Sequence, residues 1–65
     1  MIKNLTKREL EIARLKACGL ADKEIAKELG IGYGTVRTHI DKVNLKLGCV
    51  NIIHSVSILK DLKKI

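Results

Sequence analysis

One stretch of the chain carries side chains whose types and spacing suit the reading of base-pair edges. Arg37, Thr38 and Asp41 fall on one arc of a predicted helix, and Gly34 lies one turn earlier on the same arc. A guanidinium can donate two hydrogen bonds to guanine, a threonine can contact the methyl group of thymine, and a carboxylate can accept from cytosine. We therefore predict base contacts from these four residues.

Each member of this group also has a plainer interpretation. Arg37 could instead contact a phosphate or remain a surface charge, and Asp41 could repel phosphate. Gly34 costs about 1 kcal/mol of helix propensity relative to alanine. Either it lets the backbone approach a phosphate closely, or it is a tolerated glycine in the first turn of the helix.

Further groups on the same surface suit the sugar–phosphate backbone. Lys23, Lys42 and Lys46 are predicted to contact phosphate, which fixes the register on a duplex without carrying sequence information. Tyr33, the one aromatic residue of the chain, stands at the start of the same helix. We expect it to contact phosphate or sugar, with packing against the preceding turn as the alternative.

The helix that carries these groups is predicted over residues 33–47. Val36, Ile40, Val43 and Leu47 recur at spacings of four, three and four, so they share one narrow face. A helix with one buried edge and one edge free to reach outward meets the requirement for reading a major groove.

A shorter helix is predicted immediately before it, over residues 22–29. Asp22 is the best available N-cap, because Ala21 has no side-chain oxygen to accept a backbone N–H. Gly30 then supplies the turn into the longer helix. Two helices joined by a tight turn are typical of a helix-turn-helix motif.

Two further helices flank this pair, over about residues 6–18 and 51–63. Thr6 and Glu9 form a capping box at the start of the first helix. Asn51 is a good N-cap for the last one. Strand signals are weak throughout, so the predicted fold class is all-α, a four-helix helix-turn-helix domain.

The last helix has more apolar surface than one core face needs. Ile52, Val56 and Leu59 form the stripe that we expect to face the core. Surplus apolar surface in a small domain usually marks a partner contact, with fraying or packing within the monomer as the alternative. The residues predicted to form a homodimer interface are Ile53, Ile58, Leu62 and Ile65.

Length and charge bound the class of protein. The chain has 65 residues, a formal net charge of +6 and 46% hydrophobic residues. So short a chain is predicted to be one domain, residues 1–65, whose marginal core would gain from oligomerisation. The basic balance favours a polyanionic partner, and double-stranded DNA suits it better than a membrane surface.

Other classes of function have no supporting pattern. No stretch approaches the roughly 20 apolar residues of a membrane span, and the charged N-terminal segment is unlike a signal peptide, so we expect a cytoplasmic protein. The spacings of Cys18, His39, Cys49 and His54 match no zinc-finger or zinc-ribbon pattern. No constellation of catalytic groups and no phosphate-binding glycine loop is found. We therefore predict no enzyme activity, no metal and no cofactor.

Several short runs of residues occur together at a defined spacing. They are Leu5-Thr6-Lys7-Arg8-Glu9, Gly19-Leu20, Lys23-Glu24-Ile25-Ala26, Leu29-Gly30-Ile31, Thr35-Val36-Arg37-Thr38-His39-Ile40 and Lys46-Leu47-Gly48. In this combination the chain resembles the LuxR/GerE-type helix-turn-helix domain of bacterial transcription regulators. The resemblance covers about residues 5–60, and the combined spacing is highly specific.

The resemblance implies a four-helix domain whose second and third helices form the helix-turn-helix and whose fourth often mediates dimerisation. It implies that Thr35 and Lys46 contact phosphate, and that Arg37, Thr38 and Asp41 face bases. Most members carry a receiver or ligand-binding domain ahead of this one. The chain is therefore expected to be the stand-alone, GerE-like form or an excised domain.

These observations predict a sequence-specific DNA-binding transcription regulator of the bacterial cytoplasm, at the nucleoid. The helix of residues 33–47 would lie in the major groove, and the protein would dimerise through its last helix. RNA polymerase or another regulator is a further candidate partner. The alternative function is a protein-interaction module that binds and modulates another transcription regulator, with little DNA binding of its own.

Overall fold

The structure is a computed structural model that describes residues 5–65, and within this range the chain forms four helices and no strand. The helices are α1 (Lys7–Ala17), α2 (Asp22–Leu29), α3 (Tyr33–Leu47) and α4 (Ile52–Asp61). The predicted all-α class is confirmed, and the bounds of α2 and α3 are those predicted. Residues 1–4 of the predicted single domain lie outside the described range. No helix between residues 5 and 65 is long and apolar enough to cross a membrane.

The capping box at the start of α1 is confirmed. The backbone N–H of Glu9 donates to the hydroxyl of Thr6 at 3.0 Å, and the N–H of Thr6 donates to Oε1 of Glu9 at 2.9 Å. Two backbone donors that have no partner within the helix are thereby satisfied. The cap fixes where α1 begins, and so which of its residues face inward.

Two hydrophobic clusters form the core, and α1 contributes to both. The first contains Ile12, Ile25, Ala26, Val36 and Ile40, and the second contains Ala13, Val43 and Leu59. Successive helix residues point about 100° apart, so Ile12 and Ala13 enter different clusters. Helix α1 is therefore wedged between α2 on one side and α4 on the other, with α3 lying across both clusters.

A left-handed glycine turn joins α2 to α3. Gly30 has φ +65°, and the N–H of Ile31 donates to the carbonyl of Ala26 at 3.0 Å. This bond and that from the Gly30 N–H to the Lys27 carbonyl form a Schellman motif, which satisfies carbonyls left unpaired at the end of α2. The turn predicted at Gly30 is confirmed, and with it the packing of the two helices as a helix-turn-helix.

The N-cap predicted for α2 is wrong by one residue. Ala21 is the N-cap, and its N–H donates to Oε1 of Glu24 at 2.7 Å. Asp22 is instead the first helical residue, and its carboxylate pairs with side chains from the neighbouring helices. The side chain expected to cap the helix is occupied by ion pairs, and the carboxylate of Glu24 satisfies the backbone in its place.

The inward face of α4 also differs from the predicted stripe. Leu59 is fully buried as expected, but the other fully buried residue is Ser55, while Ile52 and Val56 are half-buried. The hydroxyl of Ser55 donates to Oδ1 of Asn44 at 2.7 Å. A buried hydroxyl is tolerated when it has such a partner, and here the bond ties α4 to α3.

Helix α4 ends earlier than the predicted residue 63. Its last residue is Asp61, and Lys63 adopts φ +58°. The N–H groups of Lys63 and Lys64 donate to the carbonyls of Lys60 and Leu59 at 3.0 and 2.9 Å. This is the Schellman arrangement that usually contains glycine, and a lysine holds the left-handed position here. No glycine marks this end, so the sequence contains no local stop signal here.

Replacing Lys63 by glycine is expected to raise the free energy of unfolding by about 0.5 kcal/mol. The left-handed conformation costs a residue with a side chain about 1–2 kcal/mol, and the greater flexibility of glycine in the unfolded chain offsets part of that gain. Urea titration measures the difference. The matched control is Lys60→Gly inside α4, which is expected to lose about 0.5–1 kcal/mol. A loss in both variants would contradict the strain at Lys63.

Candidate nucleic-acid interface

Helix α3 presents the arc of side chains that the sequence singles out. Of the predicted buried stripe, Val36, Ile40 and Val43 are at most 1% exposed, as expected. Leu47, its fourth member, is only half-buried and packs against the second core cluster. The opposite arc lies on the surface of the domain. Its exposed members are Gly34, Thr35, Arg37, Thr38, Asp41 and Lys42. The elements that fix this orientation are α1, α2 and α4, which together cover the buried stripe of α3.

Arg37 is exposed but held by two carboxylates. Its Nη1 donates to Oδ2 of Asp22 at 2.9 Å, and its Nη2 lies 3.9 Å from Oδ1 of Asp41. The side chain keeps 47% of its surface exposed. The hydrogen bond and charge of Asp22 raise the pKa of the guanidinium, which stays charged. The predicted base-reading group is therefore anchored to the start of α2.

Asp22 links three helices through one carboxylate. Besides Arg37 on α3, it accepts a hydrogen bond from Nζ of Lys16 on α1 at 3.1 Å. Burial raises the pKa of Asp22, but the hydrogen bonds and charges of Arg37 and Lys16 outweigh it and hold the pKa below its ordinary value. The carboxylate is ionised at neutral pH. Sequence reasoning missed this role, because the partners lie 6 and 15 residues away.

Thr38 and Gly34 are joined by a local hydrogen bond. The hydroxyl of Thr38 donates to the carbonyl of Gly34 at 3.0 Å, which leaves its oxygen able to accept on an exposed surface. A Cβ built on Gly34 would meet nothing within 4 Å. Packing within the domain therefore does not require glycine at this position. The two interpretations given above, close approach by a phosphate and a tolerated turn glycine, both stand.

The predicted backbone contacts fall into two groups. Lys23, Thr35 and Lys42 are exposed, and Tyr33 is 50% exposed at the start of α3. Lys46 differs, because its Nζ donates to Oε1 of Glu9 at 2.7 Å and its side chain is only 27% exposed. A contact from Lys46 to phosphate remains a prediction, and it would have to form beside this ion pair.

Glu9 is a buried carboxylate with two duties. Its side chain is 3% exposed, closes the capping box of α1 and accepts from Lys46 of α3. Burial raises the pKa of Glu9, but the hydrogen bonds from Lys46 and Thr6 and the charges of Lys46 and His39 outweigh burial. The pKa therefore lies below its ordinary value. The sequence predicted the cap only, since the ion pair joins residues 37 positions apart.

The four residues predicted to form a dimer interface are not equally placed. Ile53 is 79% exposed and Leu62 is 48% exposed. Ile58 is half-buried, and Ile65 packs in part against the second core cluster. Among these four residues, Ile53 and Leu62 therefore leave the most side-chain surface exposed. Val50, 92% exposed in the turn before α4, is an apolar residue that the prediction did not include.

The described residues contain no group of three or more histidine, cysteine or acidic side chains that could hold a metal ion. Cys18 and Cys49 are both free thiols. The candidate site is thus a surface of polar and cationic groups on α3 and the start of α2.

Comparison with known proteins decides the family. The sequence profile described as bacterial regulatory proteins of the LuxR family, or GerE, matches residues 3–59. The chain belongs to the LuxR family. Its relatives are transcriptional regulatory proteins rather than enzymes, in agreement with the sequence prediction.

Relatives of this LuxR-family chain are longer proteins. It is 42% identical over 57 residues to the uncharacterized transcriptional regulatory protein YvfU of Bacillus subtilis, covering 88% of this chain and 28% of YvfU. It is 54% identical over 44 residues to the transcriptional regulatory protein LiaR of the same organism, covering 68% of this chain and 21% of LiaR. The chain thus spans less than a third of the length of either relative.

A solved structure shares the fold of this LuxR-family domain. The crystal structure of the response regulator ChrA, from a heme-sensing two-component system, superposes with a TM-score of 0.91 at 30% sequence identity. The match covers 97% of this chain and 31% of ChrA. The four-helix arrangement predicted from the sequence is therefore that of a known regulator.

Proposed function

We propose that this LuxR-family chain binds double-stranded DNA sequence-specifically and regulates transcription in the bacterial cytoplasm, at the nucleoid. The observation that carries the proposal is the orientation of α3. One edge of the helix is buried in the core, and the opposite edge exposes polar and charged side chains between Gly34 and Lys42. A helix of this kind can enter a major groove while its domain stays folded behind it.

The exposed arc divides into two sets of contacts. Donors and acceptors near the middle of α3 face base edges, and residues at the rim contact the sugar–phosphate backbone. The proposed base contacts are Gly34, Arg37, Thr38 and Asp41. The proposed backbone contacts are Lys23, Tyr33, Thr35, Lys42 and Lys46. The +6 net charge supports the second set, because cations gain affinity by displacing counterions from DNA.

The proposed form on DNA is a homodimer made through α4. Ile53 and Leu62 supply exposed apolar area, with Ile58 and Ile65 beside them. Two copies related by a two-fold axis would present their α3 helices to half-sites roughly 10 base pairs apart. The expected operator is therefore palindromic, and RNA polymerase or another regulator is the further partner that such a complex would contact.

A second candidate function is a protein-interaction module that modulates another regulator. Exposed apolar residues favour it, since Leu45, Val50 and Ile53 are 82%, 92% and 79% exposed. The carboxylates beside Arg37 also reduce the positive potential of α3. A folded dimer that shifts no random duplex at low salt would support this function over DNA binding.

Replacing Arg37 by alanine is expected to remove sequence preference at one base position in each half-site. Selecting bound duplexes from a random pool, with the oligomer mass measured alongside, gives the operator for the unmodified protein. Discrimination at the position read by Arg37 should then fall about tenfold or more, the contribution of a bidentate arginine–guanine contact.

Arg14→Ala is the matched control for that experiment. Arg14 is an exposed residue of α1, so the variant loses the same charge away from α3. It is expected to keep the selected sequence. An unmodified protein that enriches no sequence, or an Arg37→Ala protein with the same preference at every position, would argue against the proposed reading of DNA.

A further inference from the structure

The arginine proposed to read a base is tethered from outside the recognition helix. Asp22 lies at the first position of α2, and its Oδ2 accepts from Nη1 of Arg37 at 2.9 Å. Its other oxygen, Oδ1, accepts from Lys16 at 3.1 Å. The Asp22 side chain is only 14% exposed. Both its oxygens are therefore committed, and the carboxylate is a fixed point between α1 and α3.

We propose that Asp22 is a positioning residue that sets the sequence preference of the domain. It holds the Arg37 guanidinium in one orientation, so that the remaining N–H donors meet a base without first being ordered. This inference rests on the proposed function, because it concerns how Arg37 reads DNA. Asp22 itself touches no base in this arrangement, and it acts through Arg37.

The geometry favours positioning over sequestration. A guanidinium has five N–H donors in a rigid fork, and a bidentate contact with guanine needs two of them. Of the guanidinium nitrogens of Arg37, Nη1 is the one that donates to Asp22. This single bond leaves the other N–H groups of the guanidinium available for a base. The second carboxylate, Asp41, is 3.9 Å from Nη2, beyond hydrogen-bond distance, and its side chain is 70% exposed. The guanidinium of Arg37 therefore retains N–H donors for DNA, while its one bond to Asp22 fixes its orientation.

Pre-organisation explains why such a tether would matter. An arginine side chain has many rotamers, and ordering them on binding reduces affinity for the correct base. A tether that is present before binding removes most of that cost. It also penalises a wrong base, because the fixed fork cannot swing to another acceptor. Losing the Asp22–Arg37 bond is expected to reduce discrimination between the correct base and other bases. The general attraction of the domain to phosphate should be unchanged.

The test is Asp22→Asn, which keeps the shape of the side chain and removes its charge. The measurements are the affinities for the selected operator, for an operator altered at the base read by Arg37, and for random duplex. We expect discrimination between the first two to fall about tenfold, as for loss of a specific arginine contact. Affinity for random duplex should not fall, since the net charge rises from +6 to +7 when one carboxylate is removed.

Two further variants separate this role from charge and from folding. Glu28→Gln removes the same charge from an exposed position of α2 and should keep full discrimination. Asp22→Ser supplies a second uncharged polar replacement, in case urea titration shows that the asparagine variant does not fold. In an Arg37→Ala background, Asp22→Asn should cause no further loss of discrimination, because a positioning residue has nothing left to position.

The outcomes distinguish failure of this inference from failure of the proposed function. An unmodified protein without sequence preference overturns both. If the unmodified protein discriminates and both Asp22 variants discriminate equally well or better, positioning by Asp22 is overturned and the proposed function stands. A further loss in the Arg37→Ala background would also overturn it, because Asp22 would then act through another residue.

Discussion

Replacing Lys46 by methionine is expected to lower the free energy of unfolding by about 2–3 kcal/mol, because removing one partner of a buried ion pair leaves the other uncompensated. The residue left behind is Glu9, whose side chain is 3% exposed. Among the described residues, the N–H of Thr6 would then be the remaining hydrogen-bond donor to its carboxylate. The largest losses of stability seen when a buried ion pair loses one partner are not expected here. Lys46 itself is 27% exposed, so water screens part of the interaction.

That loss is a large share of the total, because a domain of this length is stabilised by roughly 3–10 kcal/mol. Urea titration at neutral pH gives the difference. Lys42→Met is the matched control, an exposed lysine of the same helix whose removal should change stability by less than about 0.5 kcal/mol. The double variant Glu9→Gln with Lys46→Met should regain about 1 kcal/mol or more, since no buried charge remains. Equal effects from Lys42→Met and Lys46→Met would show that the ion pair contributes nothing.

The response to acid gives an independent readout of the same pair. The folded pKa of Glu9 lies below its ordinary value, so its contribution is fully present above the unfolded carboxylate pKa of about 4.3. It is lost as the pH falls through the folded pKa. Without Lys46, burial would raise the pKa of Glu9 and the carboxylate would take up a proton at higher pH. The stability of Lys46→Met should therefore change less between neutral and acid pH than that of the unmodified protein.

Local signals explain which parts of the fold could be predicted. A capping box joins Thr6 to a residue three positions away, and a glycine turn such as that at Gly30 is read from one residue and its neighbours. The buried stripe of α3 repeats with the period of a single helix. These features need no knowledge of what else packs nearby, so the sequence predicted them with nearly the observed helix bounds.

Side chains that join different helices were the ones missed. Asp22 was expected to cap α2, yet the packing of α1 and α3 brings two cations to its carboxylate. Glu9 was predicted to cap α1, and its pairing with Lys46 depends on where α3 crosses α1. Ser55 was not part of the stripe predicted to face the core, and its burial depends on the acceptor that Asn44 of α3 supplies. Each depends on distances that only the assembled domain defines.

The candidate site, too, has features that follow from a single helix and features that depend on contacts between helices. The residue types exposed on α3 follow from its period, so the sequence alone could nominate Arg37 and Thr38. What the sequence could not give is the charge balance around them, because two carboxylates from different positions face one guanidinium. No pattern in the sequence accounts for Leu45 either. It is 82% exposed opposite the buried stripe, and no contact among residues 5–65 explains this position.

Affinity for duplex DNA is expected to fall roughly 10³-fold as monovalent salt rises from about 50 to about 200 mM, if Lys23, Lys42 and Lys46 of both protomers contact phosphate. Six such cations would release about five counterions, which gives a slope near −5 for the logarithm of affinity against the logarithm of salt concentration. Binding titrations at several salt concentrations measure that slope. An affinity that stays level across this range would contradict a phosphate-contacting surface.

A single lysine replacement sharpens the salt experiment. Lys42→Met removes one proposed phosphate contact from each protomer of a dimer, so the slope should become shallower by about 2 while sequence preference is kept. Lys64→Met is the matched control, because Lys64 is exposed beyond the end of α4 and loses the same charge. Equal slopes for the two variants would mean that net charge, rather than a defined contact at Lys42, governs binding. A slope change of only about 1 would indicate that one protomer of the pair reaches the DNA backbone through this lysine.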